Sequence, residues 1–243
     1  GMYAFAIWDT RKKKLFAARD IFGIKPLYYA QMNGTLMFAS EIKAFMEHPK
    51  FDKVFNEDAL GNYLSFQFVP TNETFFKGVF CLQPGHYFTY ENGELNITRY
   101  FEPNFTGDTE KSFEEIVDDV EAVMKESVAM HKISDVEVAS YLSSGVDSSY
   151  LTYLGQVDRT FTVGFDEGKY SEIQDAKEFA ASINMKNDAK VITPEEYWDR
   201  LSDIQYYMDE PVADPAAIAL YFLSEEASKK VKVVLSGEGS DEL

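Results

Sequence analysis

Between residues 136 and 235 of this 243-residue chain, four short apolar runs alternate with segments of helical period, and few architectures accept that alternation. The runs are 136–142, 160–165, 189–192 and 231–235. Helices are expected from about 147, over 171–183, over 194–208 and over 216–229. A further helix, 113–131, precedes the first run, with Ile116, Val117, Val120, Val123, Met124 and Val128 on one stripe and acidic residues opposite. Thr193, Pro194 and Glu196 have the order of a capping box, with Thr at N-cap, Pro at N1 and Glu at N3. Strands joined through helices run parallel, because each crossover returns the chain to the same end of the sheet. Such sheets bind ligands beyond the carboxyl ends of their strands, so function is expected just after Leu142, Phe165 and Leu235.

The first hundred residues follow a different rule. The stretch 2–8 reads as a buried strand returning through 15–18, with Lys12, Lys13 and Lys14 as a solvated turn. Asn33-Gly34 and Asn92-Gly93, each flanked by apolar runs, predict two more hairpins. Phe5, Trp8, Tyr28, Tyr29 and Phe38 are expected in the sheet core. Ser40 is placed to cap a short helix through Met46, and Asn56 another carrying Leu60, Tyr63, Leu64 and Phe68 that Pro70 ends. Arg19-Asp20 is expected to orient the turn before Gly23. A start inside a strand and a stop after a Gly-rich loop suggest segments beyond both ends.

Charge separates the two parts. Residues 1–105 carry 11 basic and 11 acidic side chains, whereas 106–243 carry 12 and 30, so the whole net charge of −18 lies in the second part. A Pro-, Gly- and Asn-containing stretch at 102–108 coincides with the step, and the domains are expected at 1–104 and 105–243. Excess acid repels phosphate backbones, which argues against nucleic acid as a partner. One cysteine, Cys81, permits no internal disulfide and fits a reducing, cytoplasmic compartment; it reads as structural. No apolar run reaches the roughly 20 residues of a membrane span. His48, His86 and His131 lack metal-ligand spacing, and the Asn-x-Ser/Thr patterns at Asn33, Asn72, Asn96 and Asn104 would matter only in a secreted protein.

Two strand-end loops carry the chemistry. Ser143-Ser144-Gly145-Val146-Asp147-Ser148-Ser149 offers backbone N–H groups and hydroxyls at a helix N-terminus, which suits an anion such as phosphate. Asp147 beside that anion is unfavourable unless a cation bridges the two. In isolation this loop reads equally well as a Ser-rich cap. The second loop, Ser236-Gly237-Glu238-Gly239-Ser240-Asp241-Glu242, has two glycines that allow close approach or positive φ, and its acids suggest Mg2+ although an acidic surface turn would look the same. Together the loops favour a ligand site, since both follow strands of one parallel sheet.

The two loops resemble the synthetase half of the glutamine-hydrolysing asparagine synthetases, a class II amidotransferase family. Gly1 to Trp8, Arg19 to Tyr29, Phe38 to Ala44 and Leu82 to His86 are similar to the later part of the same family's glutaminase domain. The resemblance implies an α+β unit followed by an α/β unit. The first is the later part of an N-terminal-nucleophile-type glutaminase sandwich, and the second a parallel-sheet, pyrophosphate-loop domain like the adenine nucleotide alpha hydrolases. It also implies a carbon–nitrogen ligase that uses ATP and Mg2+ to convert aspartate to β-aspartyl-AMP and pyrophosphate, with glutamine supplying ammonia; a homodimer stays open. By position, Leu142, Ser143, Ser144, Gly145, Asp147, Ser148, Val163, Ser236 and Gly237 would bind the nucleotide, Asp147 and Asp241 the metal, and Glu238 would be catalytic. This chain departs from the family pattern in three places. Ser144-Gly145 stands where two glycines are usual, 209–215 lacks the Thr and Arg of some members, and the chain starts with Gly1 whereas the family's amidotransferase half uses an N-terminal Cys, so the piece alone is expected to be inactive. An enzyme adenylating another carboxylate, in β-lactam formation or peptide amidation, would differ in the 209–214 loop; an idle binding module is the third reading.

Overall fold

A two-residue turn with positive φ at both positions matches the twist of an antiparallel ribbon, and Asn33-Gly34 and Asn92-Gly93 adopt it, with φ of 50°, 72°, 53° and 87°. In the structure, a computed structural model that describes residues 1–107, 110–165 and 172–240, these turns close two hairpins. One joins β3 (Tyr28–Met32) to β4 (Thr35–Ala39), the other β6 (His86–Glu91) to β7 (Glu94–Arg99). With β1 (Ala4–Asp9), β2 (Lys14–Arg19) and β5 (Val79–Cys81) they make two antiparallel sheets, ordered β1-β2-β6-β7 and β4-β3-β5. Leu15 and Ala17 from β2, Phe88 from β6 and Tyr29 from β3 meet Leu27 and Leu82 in one core.

Arg19 and Asp20 form the knot of this unit. Asp20 is fully buried, and its carboxylate accepts the N–H groups of Tyr3 (3.2 Å), Phe22 (3.2 Å), Ile24 (3.0 Å) and Lys25 (3.0 Å). Burial pushes its pKa up, but these four donors outweigh burial and hold it below the ordinary carboxylate value. The Arg19 guanidinium donates to the carbonyls of Gly23, Lys25 and Leu82 and to Cys81 Sγ. Gly23 sits inside this turn at φ +68°, where a Cβ would come within 2.8 Å of Pro84.

Several expectations for this region give way. β1 is an edge strand with β2 as its one neighbour, so Phe5, Ile7 and Trp8 are 39%, 57% and 53% exposed rather than core. Phe38 is exposed as well and Tyr28 half-buried, leaving Tyr29 as the core aromatic of that group. The helix expected after Ser40 is a 3-10 turn, Ile42–Glu47, with Glu41 at its N-cap. Asn56 does precede α1 (Glu57–Phe66), yet its amide donates to Thr74 O instead of serving as an acceptor for the helix. Gln67, in the left-handed region, ends α1 ahead of Pro70, and Leu64 and Phe68 are exposed.

The second part alternates as read. In order come α2 (Phe113–His131), β8 (Val138–Tyr141), α3 (Val146–Gly155), β9 (Arg159–Phe165), α4 (Glu172–Ser182) and β10 (Lys186–Ile192). α5 (Pro194–Met208), α6 (Ala216–Ser228) and β11 (Val233–Leu235) follow. The strands pair in parallel in the order β10-β9-β8-β11. Thr193 and Glu196 exchange both bonds of the expected capping box, at 3.0 and 3.2 Å, and Ser112 and Glu115 form another at the head of α2. On the α2 stripe only Val128 is buried. Ile192, Ile204, Ile218 and Phe222 form one core cluster, and Ala139, Phe161, Ala227 and Val231 another.

The chain divides into two compact units, Gly1–Thr106 with Gln205–Asp214, and Gly107–Ile204 with Pro215–Leu243. The segment 205–214, the last turn of α5 and the loop that follows it, thus packs with the hairpin unit. Among the described residues no helix is long and apolar enough to cross a membrane.

Candidate functional site

From β8 the chain crosses to β9 and β10 on one side and returns as β11 on the other. β8 and β11 are parallel neighbours, so the loops that follow them leave the same end of the sheet side by side, where ligands of such sheets bind. Leu142 is buried there and anchored: its N–H donates to Phe161 O at 2.9 Å, and its carbonyl accepts the Thr162 hydroxyl at 2.7 Å. Ser143 and Ser148 hydroxyls lie 2.9 Å apart, Ser148 Oγ accepts Ser143 N–H, and Ser143 Oγ accepts Gly145 N–H. These bonds fold the loop onto the first turn of α3. Gly145 holds the N-cap with no side-chain cap, so the N–H groups of that turn stay open to a ligand. Asp147 lies in the same turn, where the helix dipole favours a carboxylate.

The second loop rests on the first. A Cβ on Gly237 would stand 3.3 Å from Ser148 N and 3.5 Å from the Asp147 carbonyl carbon, so the backbone passes over the α3 N-terminus at a distance that favours glycine. Ser240 secures the turn by donating to Gly237 O from both its N–H (3.2 Å) and its hydroxyl (2.7 Å), and Gly239 takes φ +88°. Glu238 is exposed, with its N–H donating to Ser236 Oγ.

A cavity of about 390 Å3 lies over this junction, within the usual range for small-molecule sites. The loops contribute Ser143, Gly145, Asp147, Ser148, Ser236, Gly237, Glu238 and Gly239; β8, the residue after it and β9 contribute Tyr141, Leu142 and Val163. α4 adds Glu172, and α6 adds Ala216, Ala219, Leu220 and Leu223. Ser144 does not line the cavity, and Asp241 lies outside the described residues. The contribution of α6 was missed in the sequence because 216, 219, 220 and 223 follow the helical spacing of an ordinary core stripe. Tyr141 and Glu172 carried no motif signal.

The donor set fits a hard cation with a polyphosphate. Among the described residues Asp147, Glu172 and Glu238 are the lining carboxylates, and a cation bound between them and an anionic ligand would offset their repulsion. No group of three or more metal-ligating side chains occurs among the described residues. Mg2+ requires none, since it keeps waters and phosphate oxygens around one or two carboxylates.

Outside the cavity, groups with chemical potential are already engaged. Asp209 and Glu210, in the 209–215 stretch that departs from the family pattern, bond to Ile42, Lys43 and Phe75. Burial raises the Cys81 thiol pKa against the opposing pull of Arg19, which favours the protonated thiol. His86 and His131 ring nitrogens meet nearby backbone carbonyls, and His48 accepts Lys50 N–H.

Residues 119–243 match the family described as asparagine synthase, and residues 1–101 the family described as glutamine amidotransferase domain. Asparagine synthetase (glutamine-hydrolyzing) 1 of Bacillus subtilis (strain 168) is 44% identical over all of this chain and 39% of its own length. Asparagine synthetase (glutamine-hydrolyzing) 3 of the same organism is 30% identical over all of this chain and 43% of its own. A protein of Penicillium rubens called Amidase chyE is 32% identical over all of this chain and 39% of its own. The chain thus spans about two fifths of the length of these relatives.

Proposed function

Because this chain belongs to the asparagine synthase family, we propose that it is part of a ligase that makes asparagine from aspartate, with glutamine as the ammonia source and ATP as the energy source. On this reading 1–104 is the C-terminal part of the amidotransferase domain and 105–243 the N-terminal part of an ATP-pyrophosphatase-type synthetase domain, in a cytoplasmic enzyme. The observation that carries it is the meeting of the 143–148 and 236–239 loops over the α3 N-terminus, at the rim of a cavity of nucleotide size.

The residues divide the work by chemistry. Open N–H groups of the first α3 turn, with the Ser143 and Ser148 hydroxyls, receive the β- and γ-phosphates. Leu142, Val163 and the α6 residues Ala219, Leu220 and Leu223 offer an apolar wall for the adenine ring. Asp147 and Asp241 would hold Mg2+, which offsets the charge that builds on pyrophosphate as it leaves. A β-carboxylate oxygen of aspartate attacks the α-phosphorus, the bond to pyrophosphate breaks, and ammonia then displaces AMP from the acyl carbon. Glu238, exposed among the cavity-lining residues, would take the proton the attacking nitrogen sheds.

The test is ATP–pyrophosphate exchange by the parent full-length protein with Mg2+ and aspartate, ammonia omitted. Exchange that requires aspartate is the expected result; exchange with another carboxylic acid but not aspartate would overturn it. That outcome would favour the second reading, an enzyme acting on a different acid, which the whole-chain likeness to a relative called an amidase keeps in view.

A further inference from the structure

An amide on β10 gives both of its protons to two hydroxyls of β9. Thr160 and Thr162 lie two residues apart on one face of β9, and Asn187 is the register partner of Thr160 on the neighbouring strand. Both threonines are buried. Each hydroxyl donates its single proton to a main-chain carbonyl, Thr160 to Lys186 O at 3.2 Å and Thr162 to Leu142 O at 2.7 Å. Their lone pairs then require donors, and Asn187 Nδ2 supplies one to each, at 2.9 and 2.8 Å. The penalty falls on Asn187 Oδ1, which is buried and has no hydrogen-bond partner among the described residues. Turning the amide over would satisfy that oxygen with the two hydroxyl protons, and both carbonyls would lose their donors. An aliphatic side chain would carry no such penalty, so the amide is explained by the direction it imposes on the two hydroxyls.

The Leu142 carbonyl is where this network meets the candidate site. A peptide unit is planar, so the Leu142 carbonyl and the Ser143 N–H turn together. Thr162 holds one end of that plane. At the other end the Ser143 N–H donates to Ser148 Oγ, in the first turn of α3, at 3.2 Å. The bond from Leu142 N–H to Phe161 O belongs to the preceding peptide plane and leaves this one free to turn. One line of bonds therefore runs inside a single compact unit, from Asn187 to Thr162, through the 142–143 peptide, to Ser148. Bonds in such a line polarise and strengthen one another. Ser140, the register partner of Thr160 on β8, ties the same face of the sheet to α3, its hydroxyl 2.9 Å from Thr152 Oγ1.

We propose that Thr162 and Asn187 are positioning residues for the phosphate loop: they fix the plane of the 142–143 peptide and, through it, the Ser148 hydroxyl that receives the nucleotide phosphates. The proposal rests on the nucleotide reading of the 143–148 loop. It assigns part of that loop's shape to two side chains that do not themselves line the cavity.

The test is titration calorimetry of the parent full-length protein with Mg·ATP, which needs no acid substrate. Thr162→Val keeps the side-chain volume and removes the hydroxyl. It should weaken Mg·ATP by at least about fivefold, the lower end of the loss for a buried carbonyl left unpaired. Thr162→Ser removes the methyl group and keeps the hydroxyl, and should stay within about twofold of wild type. A role confined to packing predicts the reverse order, because only the serine leaves a cavity. Where Thr162→Val cannot be purified, Asn187→Asp keeps the shape of the amide, puts an acceptor in place of the donor and draws the Thr162 proton away from Leu142 O. It should weaken Mg·ATP to a similar extent. Wild-type affinity in the folded valine or aspartate variant, or a greater loss in Thr162→Ser than in Thr162→Val, overturns the positioning role alone. A wild-type protein that does not bind Mg·ATP overturns the nucleotide reading, and the positioning role falls with it.

Discussion

Gly237→Ala should damage nucleotide binding more than its single added methyl group would suggest. The new carbon would stand 3.3 Å from Ser148 N and 3.5 Å from Ser148 Cα, while carbon contacts are comfortable at about 3.5–4.0 Å. The neighbour that must yield is backbone, in the first turn of a helix, and cannot rotate away. Forcing a methyl group into such packing costs about 1–3 kcal/mol. The relief available is to lift the 236–239 loop off the α3 N-terminus, which moves the open N–H groups and Glu238 apart. If the cost appears mainly in the bound state, Mg·ATP affinity falls by roughly 5- to 150-fold, at tenfold per 1.4 kcal/mol. Titration calorimetry of the parent protein with Mg·ATP measures this, and thermal denaturation shows whether the fold absorbed part of it. Gly145→Ala is the internal contrast: its Cβ would meet only the Ser143 hydroxyl, at 3.2 Å, a side chain that can turn aside, so the loss should be smaller. Wild-type affinity in Gly237→Ala, or a larger loss in Gly145→Ala, would refute the proposed convergence of the two loops on the phosphates.

The other expectations concern charge. Asp147→Ala in the parent enzyme should abolish Mg·ATP turnover and leave glutamine hydrolysis largely intact, since the two reactions use separate units; unchanged asparagine production would refute the metal assignment. Asp20→Asn faces two buried N–H donors with an amide NH2, at about 1–3 kcal/mol each, so urea unfolding should show a loss of roughly 2–6 kcal/mol at neutral pH. Asp20 has a lowered native pKa, so its stabilisation is present above the ordinary value of 3.8 and is lost as pH falls through the native value; the variant's deficit should shrink there. Burial raises the Glu210 pKa despite the Phe75 N–H bond, so its contribution is favourable below the ordinary value of 4.5 and is lost as pH rises through the native value. Glu210→Gln, neutral throughout and still an acceptor, should therefore melt a few degrees higher than wild type at neutral pH and match it in acid.

The second unit was legible wherever local rules operate. Apolar runs at strand length, helical spacing and the Thr193–Glu196 box act over a few residues, and each element stands within a few positions of its expected place. Asn-Gly pairs marked the hairpins for the same reason. Reading failed where burial depends on neighbours distant in sequence. Phe5, Ile7 and Trp8 have the composition of a core strand, but an edge position leaves them exposed. Asn56 has the residue type and position of a cap, yet Thr74 offers its amide a competing partner.

The candidate site shows the same division. Composition and order of the two loops point to an anion and a hard cation before any fold is known, because glycine, hydroxyls and carboxylates carry that chemistry with them. Contiguous reading could not show that Gly237 lies against Ser148, that four residues of α6 wall the cavity, or that 205–214 packs with the hairpin unit. The first two depend on the order β10-β9-β8-β11, which brings the ends of β8 and β11 together across almost a hundred residues. Local sequence selects conformations through short-range sterics and hydrogen bonds, whereas which loops share a crevice is set by strand pairing and the burial of apolar faces over the whole sheet.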